Sequence, residues 1–228
     1  MGSFIFIYKS YGNKKNMSLV ITIFFSISSV LCMQNYNILT YMEKNGPWIL
    51  YEEHKDINIY MYDNSGPPIV KIEKTLDSSL SKNEIFSTIL NIENYNNVLT
   101  DKKIYSEFVT VDSDTSFGYQ RTKNYIPFVR NRHLIFKLYK VDDNRLEWSI
   151  IDNDNKLYDR FQYRRIKELE VGAGRWEFLE LDDTNLLIHY LYIDPNMNIP
   201  SFILNKIMRN SAESVMEDVL NYTKANNK

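Results

Sequence analysis

Three histidines, one cysteine and several close-set aspartates are the residues with which this chain would do catalysis or hold a metal. His54, His133 and His189 are far apart, and none belongs to an H-E-x-x-H pair, the spacing that puts two imidazoles on one helix face for zinc. With Cys32 as the single cysteine, no thiolate cluster forms either. The run DNDNKLYD, from Asp152, has the acid spacing of a calcium loop but carries Lys156 and Leu157 where an oxygen ligand and a glycine are needed. VGAGRW, from Val171, lacks the third glycine of a dinucleotide loop and feeds a strand. No G-x-S-x-G elbow occurs, and the pairs Asp112/Asp114 and Asp182/Asp183 fall in turns, where solvated acids are the rule. No catalytic residue, metal or cofactor is expected.

Binding chemistry is better represented. Arg132 precedes Leu134, Phe136 and Leu138 with the period of one strand face, so it is either a surface arginine at a strand mouth or an interior charge needing a partner. Arg121 and Arg164 carry the same two readings. Trp148 lies between Leu146 and Ile150, and Trp176 beside Phe178, as core or as cavity wall. His189 alternates with Leu187 and Leu191, the pattern of a hydrogen-bonded core histidine, with ligand contact as the lesser reading.

The elements that must position these groups follow from hydrophobic period. A short helix over YNILTYMEK leads to GPWILYEEHKDINIYMYD, where Ile57, Ile59 and Met61 alternate as in a half-buried strand, and PPIVKIEKTL reads as the next strand. The period then changes: Ser81 and Glu84 form a capping box, and Ile85, Ile89 and Ile92 recur at helical spacing. Seven strand-like runs come next, KIYSEFVTV, SFGYQRTKNY, HLIFKLYKV, RLEWSII, YDRFQYRRIKELEV, RWEFLEL and NLLIHYLYI, bounded by turn-forming Asp, Asn, Ser and Gly clusters. Closely spaced strands pair as antiparallel hairpins. The chain ends in one long helix, opened by Pro200, whose apolar stripe is Met208, Ala212, Val215, Met216, Val219 and Tyr222.

Lys9, Lys14 and Lys15 precede SLVITIFFSISSVLC, an uncharged run short of the roughly 20 residues that span a bilayer. Residues 1–32 are therefore expected to be a signal peptide, with a membrane anchor as the lesser reading, and residues 34–228 one domain. SVLC resembles a lipobox but has Leu where a small residue belongs. Loss of 1–32 removes three of 27 basic residues and none of 29 acids, taking the charge to −5. That balance excludes nucleic acid as a partner on electrostatic grounds. A secreted or periplasmic monomer without a disulfide is expected.

Four segments in order resemble START domains, the lipid-transfer modules related to steroidogenic acute regulatory protein: WILYEEHKDINIYMY, IPFVRNRHLIF, FQYRRIKELEVGAGRW and GRWEFLELDDTNLLIHYLYIDPNMNIPSFILNKI. Arg132-His133 stands where the family has Arg-Asp, and Asn196, Met197 and Asn198 replace the usual glycines. The resemblance implies an α+β helix-grip fold: a strongly curved antiparallel sheet of about six to nine strands around the C-terminal helix, with a shorter helix after the second strand. It implies a tunnel for a lipid, sterol or phospholipid. Candidate lining residues are Tyr119, Arg121, Arg132, Trp148, Arg164 and Trp176 from the strands and Tyr190 from the last of them. Met208, Ala212 and Met216 are expected to face the tunnel from the helix, and Met197 and Phe202 to form a gate with transient membrane contact. Two further readings are a cyclase- or hydrolase-like enzyme acting on an aromatic or polyketide substrate, and a domain whose core is simply filled.

Overall fold

The computed structural model describes residues 38–43, 47–62, 67–76, 80–123, 130–152, 156–161, 166–182, 184–197 and 199–226. The expected signal segment, Cys32 and Arg164 lie outside the described residues.

Helix α1 (38–43) precedes a hairpin, β1 (Ile49–His54) and β2 (Ile57–Tyr62). One strand was expected across this stretch. Lys55 and Asp56, two exposed polar residues in a turn, divide it. Strand β3 (Ile69–Leu76) follows, so the internal helix α2 (Lys82–Leu90) comes after three strands and not two. Ser81 caps α2 as expected: the Glu84 amide donates to its hydroxyl, and the Ser81 amide donates to the Glu84 carboxylate at 2.8 Å. A capping box of this kind stabilises a helix by about 1 kcal/mol.

A single 3-10 turn over Ile92–Asn94 and the short α3 (Tyr95–Val98) lead to the meander β4 (Ile104–Asp112), β5 (Thr115–Thr122), β6 (Arg132–Asp142) and β7 (Arg145–Ile150). The run from Tyr158 was expected to be a strand; instead Lys156–Phe161 is a 3-10 helix. The i, i+3 spacing of Tyr158 and Phe161 places both rings on one side of it, where they bury against Tyr119 and Ile135. The two-residue β8 (Lys167–Glu168), β9 (Val171–Glu180), β10 (Asn185–Asp194) and α4 (Ser201–Asn226) complete the chain.

The sheet order is β1-β2-β3-β10-β9-β7-β6-β5-β4, with β8 pairing parallel to β6. That makes ten described strands, the two-residue β8 included. Register shifts at Leu50/Glu52, Phe108/Thr110 and Lys140/Asp142 mark bulges, which bend the strands that contain them. The sheet stays open, with β1 and β4 as its edges. Because the chain leaves β3 in mid-sheet and re-enters at the far edge as β4, α2 and α3 cross one face and meet α4 there. Thr223 donates to Thr88 at 2.8 Å, and the Asn94 amide to the Tyr222 hydroxyl. Asp218 accepts from the Thr100 amide at 2.9 Å and hydroxyl at 2.7 Å, which fixes the C-terminal half of α4. On the inner face Ile59, Ile72, Leu187 and Ala212 are completely buried. The outer face is covered by α1 around Ile188 and Tyr190, and by the 3-10 helix around Tyr119. No helix among the described residues is long and apolar enough to cross a membrane.

Candidate functional site

Strand periodicity decides which side chains meet between sheet and helix. Gln120 pairs with Leu134, Leu138 with Trp148, and Trp176 with His189, and partners in register share a face. All six line a cavity of about 240 Å³, together with Ile104, Thr122, Phe136, Leu191 and Ile193 from the sheet, Tyr95 and Val98 from α3, and Ser211, Val215 and Val219 from α4. Leu99 and Asp101 close one side.

Two glycines make room for the aromatic wall. A Cβ on Gly174 would lie 2.3 Å from the Trp148 indole nitrogen, and one on Gly118 would lie 2.5 Å from the Phe136 ring. Each glycine is the register partner of the ring it admits, so the rings lie across the neighbouring strand and not into the cavity. Phe136 and Trp148 meet edge to face at 6.3 Å, and Tyr95 stacks on Phe136 at 6.4 Å.

The cavity has few polar groups. His189 is 2 % exposed, stacks on Trp176 at 3.9 Å, and meets the Ala212 carbonyl through Nδ1 at 3.4 Å. Burial pushes its pKa down to about 4, against a smaller opposing contribution from that carbonyl. At neutral pH it is uncharged. The Tyr95 hydroxyl donates to the Ile89 carbonyl, and burial raises its pKa. Asp101 is exposed and accepts the Lys103 amide at 2.9 Å. Among the described residues no two titratable lining groups hydrogen-bond each other, and no three His, Cys, Asp or Glu are grouped to hold a metal ion.

Of the residues singled out by sequence, Trp148 and Trp176 are in the wall. Tyr119 and Arg121 face the other side of β5: Tyr119 stacks on Phe161 at 4.0 Å, and Arg121 lies over the Tyr105 ring. Tyr190 is also on the outer face, 5.8 Å from Trp48. Met208, Ala212 and Met216 are in the packed core, at 4 %, 0 % and 0 % exposure. The α4 stripe that borders the cavity is the adjacent one, Ser211, Val215 and Val219. Met197 is half-buried in the loop before α4, and Phe202 is 73 % exposed. Arg132 shares the β6 face of Leu134 and is buried, but it stands outside the set of residues that line the cavity.

The buried arginine with acid partners is a different one. Arg175, 1 % exposed on the outer face of β9, donates to Glu147 through Nε at 2.9 Å and Nη2 at 2.6 Å, to Glu177 at 3.3 Å, and to the Leu39 carbonyl of α1 at 3.2 Å. Tyr139 donates to the second Glu147 oxygen at 2.9 Å, its pKa raised by burial first and Glu147 second. Sequence gave no sign of this, since the three segments are distant in the chain. Gln120, Thr122 and Tyr95 were missed as wall residues because polar or isolated positions carry no periodic signal.

No protein-family model matches the chain, and no curated protein matches its sequence. Solved structures do. A STAR-related lipid transfer protein of Xanthomonas axonopodis superposes with a TM-score of 0.64 at 12% identity, over 78% of this chain and 99% of its own. Human StAR-related lipid transfer protein 5 gives 0.64 at 10% identity, over 91% and 99%. Human STARD10 gives 0.63 at 10%, over 83% and 80%. The chain has the START helix-grip fold.

Proposed function

We propose that this chain holds an apolar small molecule, a lipid or sterol, in the cavity between sheet and α4, and carries it without changing it chemically. The observation behind this reading is the wall itself: mostly aliphatic and aromatic side chains, few polar groups, and a lone neutral imidazole. Catalysis of the cyclase or hydrolase kind needs at least two convergent titratable groups, and the lining holds no hydrogen-bonded pair of them. The fold, shared with structures described as lipid transfer proteins, supports the same reading.

Entry is proposed at the start of α4. Its C-terminal half is tied down through Asp218 and Thr223, whereas Ser201, Phe202 and Ile203 are exposed and no residue before Met208 is buried. The first turns are therefore cheap to displace, and Phe202 and Ile203 offer apolar surface to a membrane. The basic and apolar run within 1–32 supports export of residues 34–228.

The test is native mass spectrometry of the protein purified from a lipid-containing host, combined with lipid exchange between vesicles. A discrete bound lipid and accelerated exchange are expected. Protein that is bare and inactive in exchange would remove the carrier reading.

A further inference from the structure

Among the described residues, nothing completes the environment of Arg132. It is the first residue of β6, in register with Thr122, and Thr122 lines the cavity. It also shares the parity of Leu134, Phe136 and Leu138, all three cavity residues. The side chain therefore rises on the cavity face, one register pair past Leu134, with 7 % exposure. Its Nε is buried with no hydrogen-bond partner.

The surroundings do not compensate the charge. No carboxylate among the described residues forms an ion pair with Arg132. The influences on its guanidinium are burial first and the positive charge of Arg130 second, and both disfavour the charged form. Its parallel register partner, Lys167, is another cation, which reaches the Asn196 carbonyl at 3.4 Å. Glu168, the register partner of His133, lies 3.9 Å from that imidazole and forms no ion pair with Arg132. A guanidinium stays protonated at neutral pH, so this is a positive charge on a largely buried side chain whose Nε–H has no acceptor. Leaving such a charge unpaired is costly, and proteins pair nearly all of them.

We propose that the missing partner arrives with the ligand: the cavity takes a single-chain amphiphile with an anionic head, a carboxylate or a phosphate monoester, and Arg132 receives that head while the chain runs along Leu134, Phe136 and Trp148. This rests on the carrier reading above and narrows it. The guanidinium fork matches both head groups with two parallel hydrogen bonds. Size points the same way. At about 240 Å³ the cavity is smaller than the roughly 300–1,000 Å³ of common small-molecule sites, room for one chain and not for two.

The experiment compares dodecanoate, dodecyl phosphate and dodecanol, three probes sharing one chain, by calorimetry on the full-length protein, with inorganic phosphate as the chainless control. Wild-type protein should bind at least one of the two anions tenfold or more tighter than the alcohol, and inorganic phosphate not measurably. Arg132→Met should bring anion and alcohol to equal affinity without lowering the melting temperature, and Arg132→Lys should keep part of the preference. Alcohol binding as tightly as both anions, or a preference that survives in Arg132→Met, would overturn the proposal and leave the carrier reading standing. Failure of all three chains to bind would overturn both. Should Arg132→Met not fold, the wild-type ratio of anion to alcohol decides by itself.

Discussion

Two buried arginines face opposite sides of one sheet, and their surroundings could hardly differ more. Arg175, on the outer face, is met by Glu147, Glu177, Glu43 and the Leu39 carbonyl, so its charge is consumed in pinning α1 to β7 and β9. Arg132, on the inner face, is buried with an unpartnered Nε. A charge satisfied by its own chain is architecture. A charge left unsatisfied beside a cavity is available to something from outside.

The largest effect should follow from breaking the satisfied side. Arg175→Met leaves the Glu147 carboxylate buried with Tyr139 as its one remaining side-chain donor among the described residues, and removal of one partner from a buried pair costs about 3–5 kcal/mol. That is a large share of the 5–15 kcal/mol typical of a whole domain. Urea titration should show it directly. The double variant Arg175→Met/Glu147→Leu should recover much of the loss, since no stranded charge remains. If Arg175→Met proved as harmless as Arg132→Met is expected to be, the contrast between the two faces would fail.

His189 offers the second test, on the inner face. Its pKa is about 4 folded and near 6.5 unfolded, so between those values the unfolded chain binds the proton more readily. Stability from this group is therefore complete above pH 6.5, falls as the pH drops, and levels off near pH 4. At 1.36 kcal/mol per pH unit the loss amounts to about 3 kcal/mol. Carboxylates titrate in the same window, so the measurement is the difference between wild type and His189→Phe, a variant that keeps the stack on Trp176. The variant should lose less stability between pH 7 and pH 4.5. Identical slopes would mean that water reaches the imidazole.

What could be read from the sequence divides along the same physical line. The capping box at Ser81, the shared face of Leu134, Phe136 and Leu138 on β6, and the existence of an apolar stripe on α4 are local patterns, and each is present in the structure. The Arg175 cluster joins α1, β7 and β9 across more than 130 positions, and only pairing of the strands brings it together. Sequence alone places Tyr190 and Tyr119 at the cavity because α1 and the 3-10 helix bury the outer side of their strands as well; with both faces buried, alternation no longer says which one is inside. The α4 stripe was found, but not its orientation. A stripe wider than about 100° includes residues that pack and residues that border space.

That last distinction yields the smallest and sharpest expected effect. Ala212 and Val215 are three positions apart on α4, both within the apolar stripe, yet Ala212 is completely buried in the core and Val215 lines the cavity. Tryptophan at position 212 has nowhere to go. It must push Met208, Met216 or the strands behind them, and overpacking of this sort costs about 1–3 kcal/mol, or more where the backbone cannot yield. Tryptophan at position 215 enters empty space, gains contacts with the aromatic wall, and should leave the urea midpoint nearly unchanged. Its effect should appear elsewhere: the space that a ligand would use is gone, so bound lipid and vesicle exchange should both be lost. The two variants therefore separate stability from binding with the same side chain one helical turn apart. Equal destabilisation by both would mean that side chains fill the space beneath α4 as tightly at Val215 as at Ala212, and the inner face would then be core throughout.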